Sequence, residues 1–161
     1  MSSAAEARFR VQAPNSRPRE IAVIAVDTTS DRVVRRLAEG TWNHATFLTA
    51  AHITGMAAPE AGAGSLMNLT GGTADLADQV NRADLVVMVA SPGGHANAVA
   101  MIGEACSRKR VMTTALVVSA ATASDDEVAR TLAQLRPWSL MVVIANADDY
   151  IEDMLMALRA S

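Results

Sequence analysis

The sequence contains little of what stabilises small secreted domains. Cys106 is the only cysteine among 161 residues, so no internal disulfide can form, and we expect a reducing, cytoplasmic compartment. Aromatic residues make up only 3% of the chain although 50% of it is hydrophobic, so the core must consist mainly of Ala, Val, Ile, Leu and Met. That composition favours helices packed on a parallel sheet over an aromatic-rich β-sandwich.

The sequence argues against membranes and nucleic acids as partners, because long apolar runs and excess positive charge are both missing. No apolar run reaches the roughly 20 residues that span a bilayer, and the N-terminus lacks the apolar segment of a signal peptide, so we expect no membrane association. The net charge is −3, and because residues 1–19 carry +3, residues 20–161 carry −6. An acidic body has few cations to neutralise phosphates, so the sequence argues against nucleic acid as a partner.

The chain divides into a flexible basic tail, residues 1–19, and one domain, residues 20–161. The tail is rich in Ser, Ala and Arg, and Pro14 and Pro18 interrupt regular structure. Apolar runs in the body predict strands over 21–26, 45–49, 85–90, 111–119 and 139–145. Helical patterns separate them, and residues 51–72 form an irregular, glycine-bearing loop. The alternation predicts a three-layer α/β/α, Rossmann-like fold with an open, mainly parallel, five-stranded sheet.

Three helix signals accompany this pattern. Ser124 followed by acids through Glu127 is a strong N-cap, and Thr73 is a plausible one. The cations from Arg108 to Arg110 complement a helix C-terminus, and Cys106 is expected to be a small buried helix residue.

The central feature is the strand 85–90, which runs into Ser91-Pro92-Gly93-Gly94-His95-Ala96-Asn97 and then into a helix. Ligands of parallel sheets bind beyond the carboxyl ends of the strands, where a glycine turn leaves backbone N–H groups for an anion. The candidate ligand-binding residues in these loops are Thr28, Thr29, Ser91, Gly93, Gly94, His95 and Asn97, joined by Gly71 and Gly72.

Most catalytic signatures are absent. The sequence contains no P-loop motif, and the turn after the first strand has no glycine, which excludes the usual dinucleotide fingerprint there. His44, His52 and His95 lack metal-ligand spacing, so no metal and no catalytic residue is assigned. Asp27 with Asp148 or Asp149 suits helix capping better than a magnesium site. An enzyme that uses His95 and Asp27 remains a third hypothesis.

Two short patterns carry a resemblance to a known family. Residues 84–90 followed by Ser91-Pro92-Gly93-Gly94, and residues 140–146 followed by Ala147-Asp148, resemble the nucleotide-binding half of the tubulin and FtsZ GTPase family. The resemblance implies phosphate contacts at Gly93 and Gly94 and a second nucleotide loop over 61–73. The family's first glycine cluster is replaced here by Asp27-Thr28-Thr29-Ser30, so GTP hydrolysis and filament formation are not implied. Ser91, Gly93 and Asn97 also resemble the phosphate loop of SIS-type sugar-phosphate-binding domains.

Two functions follow as expectations. The first is a small domain that binds a phosphorylated or anionic, nucleotide-like ligand at the Gly93-Gly94 turn, without strong catalysis. The alternative is a non-catalytic assembly or regulatory subunit of a larger complex, which forms a homo-oligomer or binds a protein partner. Its adaptable apolar contacts would come from Met56, Met67, Met154 and Met156.

Overall fold

The computed structural model describes residues 20–40, 42, 44–50, 65–69, 72–93, 97–118, 123–145, 151 and 153. The predicted tail, the loop residues 51–64 and most of the predicted last helix lie outside these ranges. The division into a tail and one domain therefore stays a prediction.

The chain forms an α/β fold around one open, mixed, mainly parallel sheet. Seven strands lie in the order β4-β3-β2-β1-β5-β6-β7. Their bounds are β1 Ile21–Ala25, β2 Ala45–Thr49, β3 Ser65–Asn68, β4 Thr73–Asp75, β5 Leu85–Ala90, β6 Met112–Val117 and β7 Met141–Ile144. Strands β2, β1, β5, β6 and β7 run parallel, whereas β3 is antiparallel to both β2 and β4.

The predicted count of five strands is wrong, because β3 and β4 add an antiparallel pair beside β2. Leu66 of β3 lies opposite Ala74 of β4 and is fully buried, so non-local pairing and burial make these short segments strands. Thr73, predicted as a helix N-cap, lies in β4 instead.

Four helices accompany the sheet in the described part of the chain. They are α1 Thr28–Ala38, α2 Leu76–Arg82, α3 Asn97–Lys109 and α4 Asp125–Leu135, and a 3-10 turn, Arg136–Trp138, follows α4. The N-cap prediction at Ser124 is confirmed, since its hydroxyl accepts a hydrogen bond from Glu127 N–H at 3.2 Å. None of the described helices is long and apolar enough to cross a membrane.

Helices cover both faces of the sheet because the central strands are apolar on both sides. All six residues of β5 are buried, and those of β1 alternate between two cores. Ala22 and Ile24 belong to the core that contains side chains of α2, α3 and α4. Ile21 and Val23 belong to the core on the opposite face, with α1 and Ile151. The strand order therefore places β1 and β5 side by side at the centre of a three-layer structure.

Candidate functional site

The chain leaves β1 toward β2 on one side and reaches β5, β6 and β7 on the other, so the carboxyl ends of β1 and β5 form the topological switch point. This is the position at which open parallel sheets usually bind ligands. Asp27 and Ser91 follow these two strands, and both are buried. The sequence prediction thus selected the loops that meet at this edge.

The Asp27 carboxylate joins the ends of β1 and β5. Its Oδ2 accepts a hydrogen bond from Ser91 N–H at 2.8 Å, and its Oδ1 accepts one from Ser91 Oγ at 2.8 Å. Oδ1 also accepts a bond from Ser30 N–H at 2.8 Å, while Ser30 Oγ lies 3.2 Å from Asp27 N–H in a reciprocal capping box. Asp27 is therefore both the N-cap of α1 and a clasp between the two central strands. We call this arrangement the Asp27 clasp.

The glycine turn packs against α4. Gly93 has a φ of 80°, which favours glycine, and its N–H donates to Thr131 Oγ at 3.2 Å. A Cβ on Gly93 would lie 3.2 Å from Glu127 Oε2. One predicted anion donor is thus already bonded to a side chain, and a carboxylate stands beside the turn.

The remaining predicted residues are distributed as follows. Thr28 and Thr29 are exposed in the first turn of α1, next to the Asp27 clasp, and the backbone of Asn97 begins α3. Gly72 lies beside the β3–β4 pair, on the far side of β2, where its C=O accepts a bond from Asn68 N–H, so the structure does not bring it to the switch point. Gly71, Gly94 and His95 lie outside the described residues.

Charge is distributed unevenly between the two edges of the parallel strands. Helices α1 and α4 begin at the carboxyl edge with acidic residues in their first turns, and α2 and α3 end at the amino edge with basic residues in their last turns. These residues are Asp31, Asp125, Asp126 and Glu127 at the first edge, and Arg82, Arg108 and Lys109 at the second. Helix dipoles favour this arrangement. An anion at Gly93 would therefore meet negative side chains.

Catalysis and metal binding gain no geometric support from the described groups. The Asp27 carboxylate is already engaged in three hydrogen bonds, and His95, its partner in the enzyme hypothesis, is not described. No cluster of three potential metal-ligating side chains occurs among the residues that the structure describes.

The sequence analysis missed an exposed apolar surface at the β7 edge of the sheet. Leu140 is 78% exposed, Met141 44%, Ile144 43% and Met112, which begins β6, 42%. We call these four residues the β7 surface. The signal in the sequence is the stretch 137–147, which contains no charged residue. Of the four methionines predicted as contacts, Met67 lies half-buried in β3, and the other three lie outside the described ranges.

A groove of about 360 Å³ opens beside the β7 surface, between the end of α3 and the 3-10 turn. Trp138 and Arg110 are among the residues that line it, and we call it the Trp138 groove. Cys106 lies nearby in α3 and is buried, as predicted. Burial raises the pKa of its thiol, and a hydrogen bond with Thr113 lowers it by a smaller amount.

Comparisons with known proteins add no family assignment: no protein-family model matches the chain, and a search of curated proteins finds no similar sequence.

Proposed function

We propose that this chain is a Rossmann-like assembly subunit that associates with a second copy of itself through the outer edge of β7, the side opposite β6. The Rossmann-like assignment is supported by the order of the five parallel strands and by helices on both faces, which are typical of doubly wound sheets. The observation that carries the function is the β7 surface, where four large apolar side chains are each at least 42% exposed. Met141 and Ile144 are three residues apart in the strand, so they lie on opposite faces of the sheet and flank its edge from both sides. Exposed apolar side chains along an edge strand favour pairing with another strand.

The two edges of the sheet differ in how they are protected. Strand β4 is only three residues long and ends in the charged Asp75, both of which discourage further pairing. Strand β7 consists entirely of Met, Val, Val and Ile, and no proline or charged residue interrupts it. An edge of this composition pairs readily with another strand, which supplies partners for its outward N–H and C=O groups.

A second copy fits this edge better than a charged partner does. Antiparallel pairing of β7 with its symmetry mate around a two-fold axis is self-complementary, as in most homodimers. The body of the chain carries a net charge of −6, so copies repel one another over most of the surface. The uncharged stretch 137–147 is a place where two copies can meet without that repulsion.

The described residues leave the outer edge of β7 without a neighbouring strand. Strand β7 pairs with β6 and stands last in the strand order. Ile151, which follows β7 in the chain, is 1% exposed and belongs to the core on the α1 face, together with Val118 and Ala145. Among the described residues, the edge is therefore available to a second copy.

Analytical ultracentrifugation over a wide range of protein concentrations tests the proposal. We expect the wild type to dimerise, and the double variant Met141→Lys/Ile144→Lys to remain monomeric, because two charges on each strand repel their symmetry mates. Thr73→Lys places a charge on the opposite edge, β4, and should dimerise like the wild type. Circular dichroism of all three proteins checks that folding is unchanged. A wild type that is monomeric at every concentration would refute the proposed function.

A second candidate function is the binding of a phosphorylated or anionic, nucleotide-like ligand at the switch point. Two observations favour it: the carboxyl ends of β1 and β5 meet there, and Gly93 holds a φ of 80° that few other residues adopt. Such a ligand would lie against Gly93 and the exposed Thr28 and Thr29. The Glu127 carboxylate opposes it, since like charges about 4 Å apart repel by about 1 kcal/mol even in water.

That repulsion provides the test. We expect Glu127→Gln to strengthen the binding of inorganic pyrophosphate about five-fold in isothermal titration calorimetry, which corresponds to about 1 kcal/mol. Asp126→Asn is the matched control, because Asp126 is exposed on the same turn of α4, whereas among the described residues only Glu127 comes within 4 Å of a Cβ on Gly93. Equal affinity in Glu127→Gln and the wild type, or no binding to either, would exclude an anion site at this turn.

A further inference from the structure

The Trp138 groove has one tightly fitted wall. A Cβ added to Gly103 of α3 would lie 2.5 Å from Trp138 Cβ, so only glycine permits the indole to approach the helix this closely. Met112 and Leu140, both exposed, flank the same groove. The groove therefore offers an apolar lining that is fixed in place by packing at Gly103.

Arg110 places a positive charge in the groove, and its backbone has a positive φ, which is strained for a residue other than glycine. It follows α3 with a φ of 56°, a conformation in which glycine is usual and other residues are strained by about 1 kcal/mol. Its N–H donates to Ser107 C=O at 3.2 Å, and Val111 N–H donates to Cys106 C=O at 2.9 Å, as in a Schellman helix terminus. Glycine would satisfy this backbone geometry better, whereas the cationic side chain complements the helix dipole at this end.

The charge of Arg110 is uncompensated within the groove. Arg110 is exposed to solvent, and among the described residues that line the groove it is the only charged one. The described part of the chain shows no ion pair that involves Arg110, whereas the neighbouring Arg108 pairs with Glu104 at 3.2 Å. A guanidinium in this setting favours a carboxylate as its partner.

Ser139 provides a second polar group that lacks a partner. It lines the groove, and its Oγ is buried without a hydrogen-bond partner among the described groups. The Oγ has almost no accessible surface, so an acceptor in the groove does not reach it, and Arg110 is the polar group that a ligand would meet.

We propose that the Trp138 groove binds a small carboxylate with a short apolar body. The carboxylate pairs with Arg110, and the hydrocarbon part packs against Trp138 and Leu140.

Tryptophan fluorescence tests this directly. The chain has two tryptophans, and Trp42 belongs to the core on the opposite face of the sheet, so Trp42→Phe leaves Trp138 as the sole reporter. Three probes of equal chain length, hexanoate, hexan-1-ol and hexylamine, separate charge from hydrophobicity. We expect hexanoate to change the emission saturably, hexan-1-ol to bind about ten-fold more weakly, as befits the loss of a charged hydrogen bond, and hexylamine not to bind.

Arg110→Gly is the decisive variant because it relieves the positive φ and should fold at least as stably as the parent. We expect it to bind hexanoate no more tightly than hexan-1-ol, a loss of about ten-fold. Arg82→Gln, which removes a cation from the same edge of the sheet but outside the groove, should leave hexanoate binding unchanged. The proposal is overturned if hexanoate fails to bind, if it binds no better than hexan-1-ol, or if Arg110→Gly retains full affinity.

Discussion

At the scale of single residues, local sequence predicts one of the two roles of Asp27, the capping of α1, but not the hydrogen bonds that it accepts from Ser91. Asp27 and Ser30 have the spacing of a reciprocal helix cap, so the sequence favours helix capping as the role of Asp27. The other role depends on Ser91, which is 64 residues away in the chain. No local pattern contains that pairing; it exists only once β1 and β5 lie side by side.

Removal of the carboxylate should therefore destabilise the fold as a whole. Asp27→Ala leaves Ser30 N–H, Ser91 N–H and Ser91 Oγ without their common acceptor, and we expect the free energy of unfolding to fall by about 3 kcal/mol. Asp27→Asn should cost less, because its carbonyl can still cap α1 while its amide cannot accept from Ser91 N–H. Urea unfolding measures both, with the exposed Asp126→Asn as control. A loss below about 1 kcal/mol in Asp27→Ala would show that the clasp contributes little.

Cys106 leads to a prediction about pH. Because burial raises the pKa of its thiol in the folded state, the unfolded chain loses this proton first as the pH rises. The contribution of Cys106 to stability is therefore complete below the ordinary thiol pKa of about 8.5 and declines above it, by at most about 1.4 kcal/mol per pH unit. Urea unfolding of the wild type and of Cys106→Ala should give stability curves that converge as the pH increases from about 8 to about 10. Parallel curves would contradict this expectation.

At the scale of elements, a strand predicted from the sequence matches the strand in the structure where its apolar run is long enough to be recognised. The ranges predicted for β2 and β5 coincide with the strands observed, since five and six consecutive strand-forming residues are a clear signal. Strands β3 and β4 have four and three residues, which is too short for a periodic pattern. They form because β3 pairs with both β2 and β4 and buries Leu66 in the core, a consequence of tertiary packing that local propensity does not contain.

The contact between α3 and the 3-10 turn provides an element-scale prediction. In Gly103→Ala the new Cβ would meet three atoms of Trp138 at 2.5–2.8 Å, so the turn must move. Overpacking costs about 1–3 kcal/mol, and the gain of about 1 kcal/mol in helix propensity offsets only part of it. We expect a net loss of stability in thermal or urea unfolding, together with a shift in Trp138 fluorescence. Gly72→Ala, whose Cβ would approach only the side-chain amide of Asn68, should be close to neutral.

At the scale of the whole molecule, the sequence predicts helices on both faces of a mainly parallel sheet, whereas the ligand site at the carboxyl ends of the strands stays a prediction. The sequence does not predict which edge strand is exposed, because exposure depends on strand order and β7 is an edge strand only in the order observed. The same order brings acidic helix starts to one end of the parallel strands and basic helix ends to the other. The sequence shows that the stretch 137–147 is uncharged, but only the strand order places that stretch at the edge of the sheet.

Association through β7 has a thermodynamic consequence for the entire fold. If native chains pair and unfolded chains do not, mass action makes the melting temperature rise with protein concentration. A ten-fold increase in concentration is worth about 1.4 kcal/mol per dimer, or about 0.7 kcal/mol per chain, and we expect a rise of about 2 °C for a chain of this size. Scanning calorimetry of the wild type should show this rise, whereas Met141→Lys/Ile144→Lys should melt at one temperature throughout. Because the comparison uses each protein as its own reference, a direct destabilisation by the lysines cannot imitate the result, and a wild-type melting temperature independent of concentration would contradict pairing of β7.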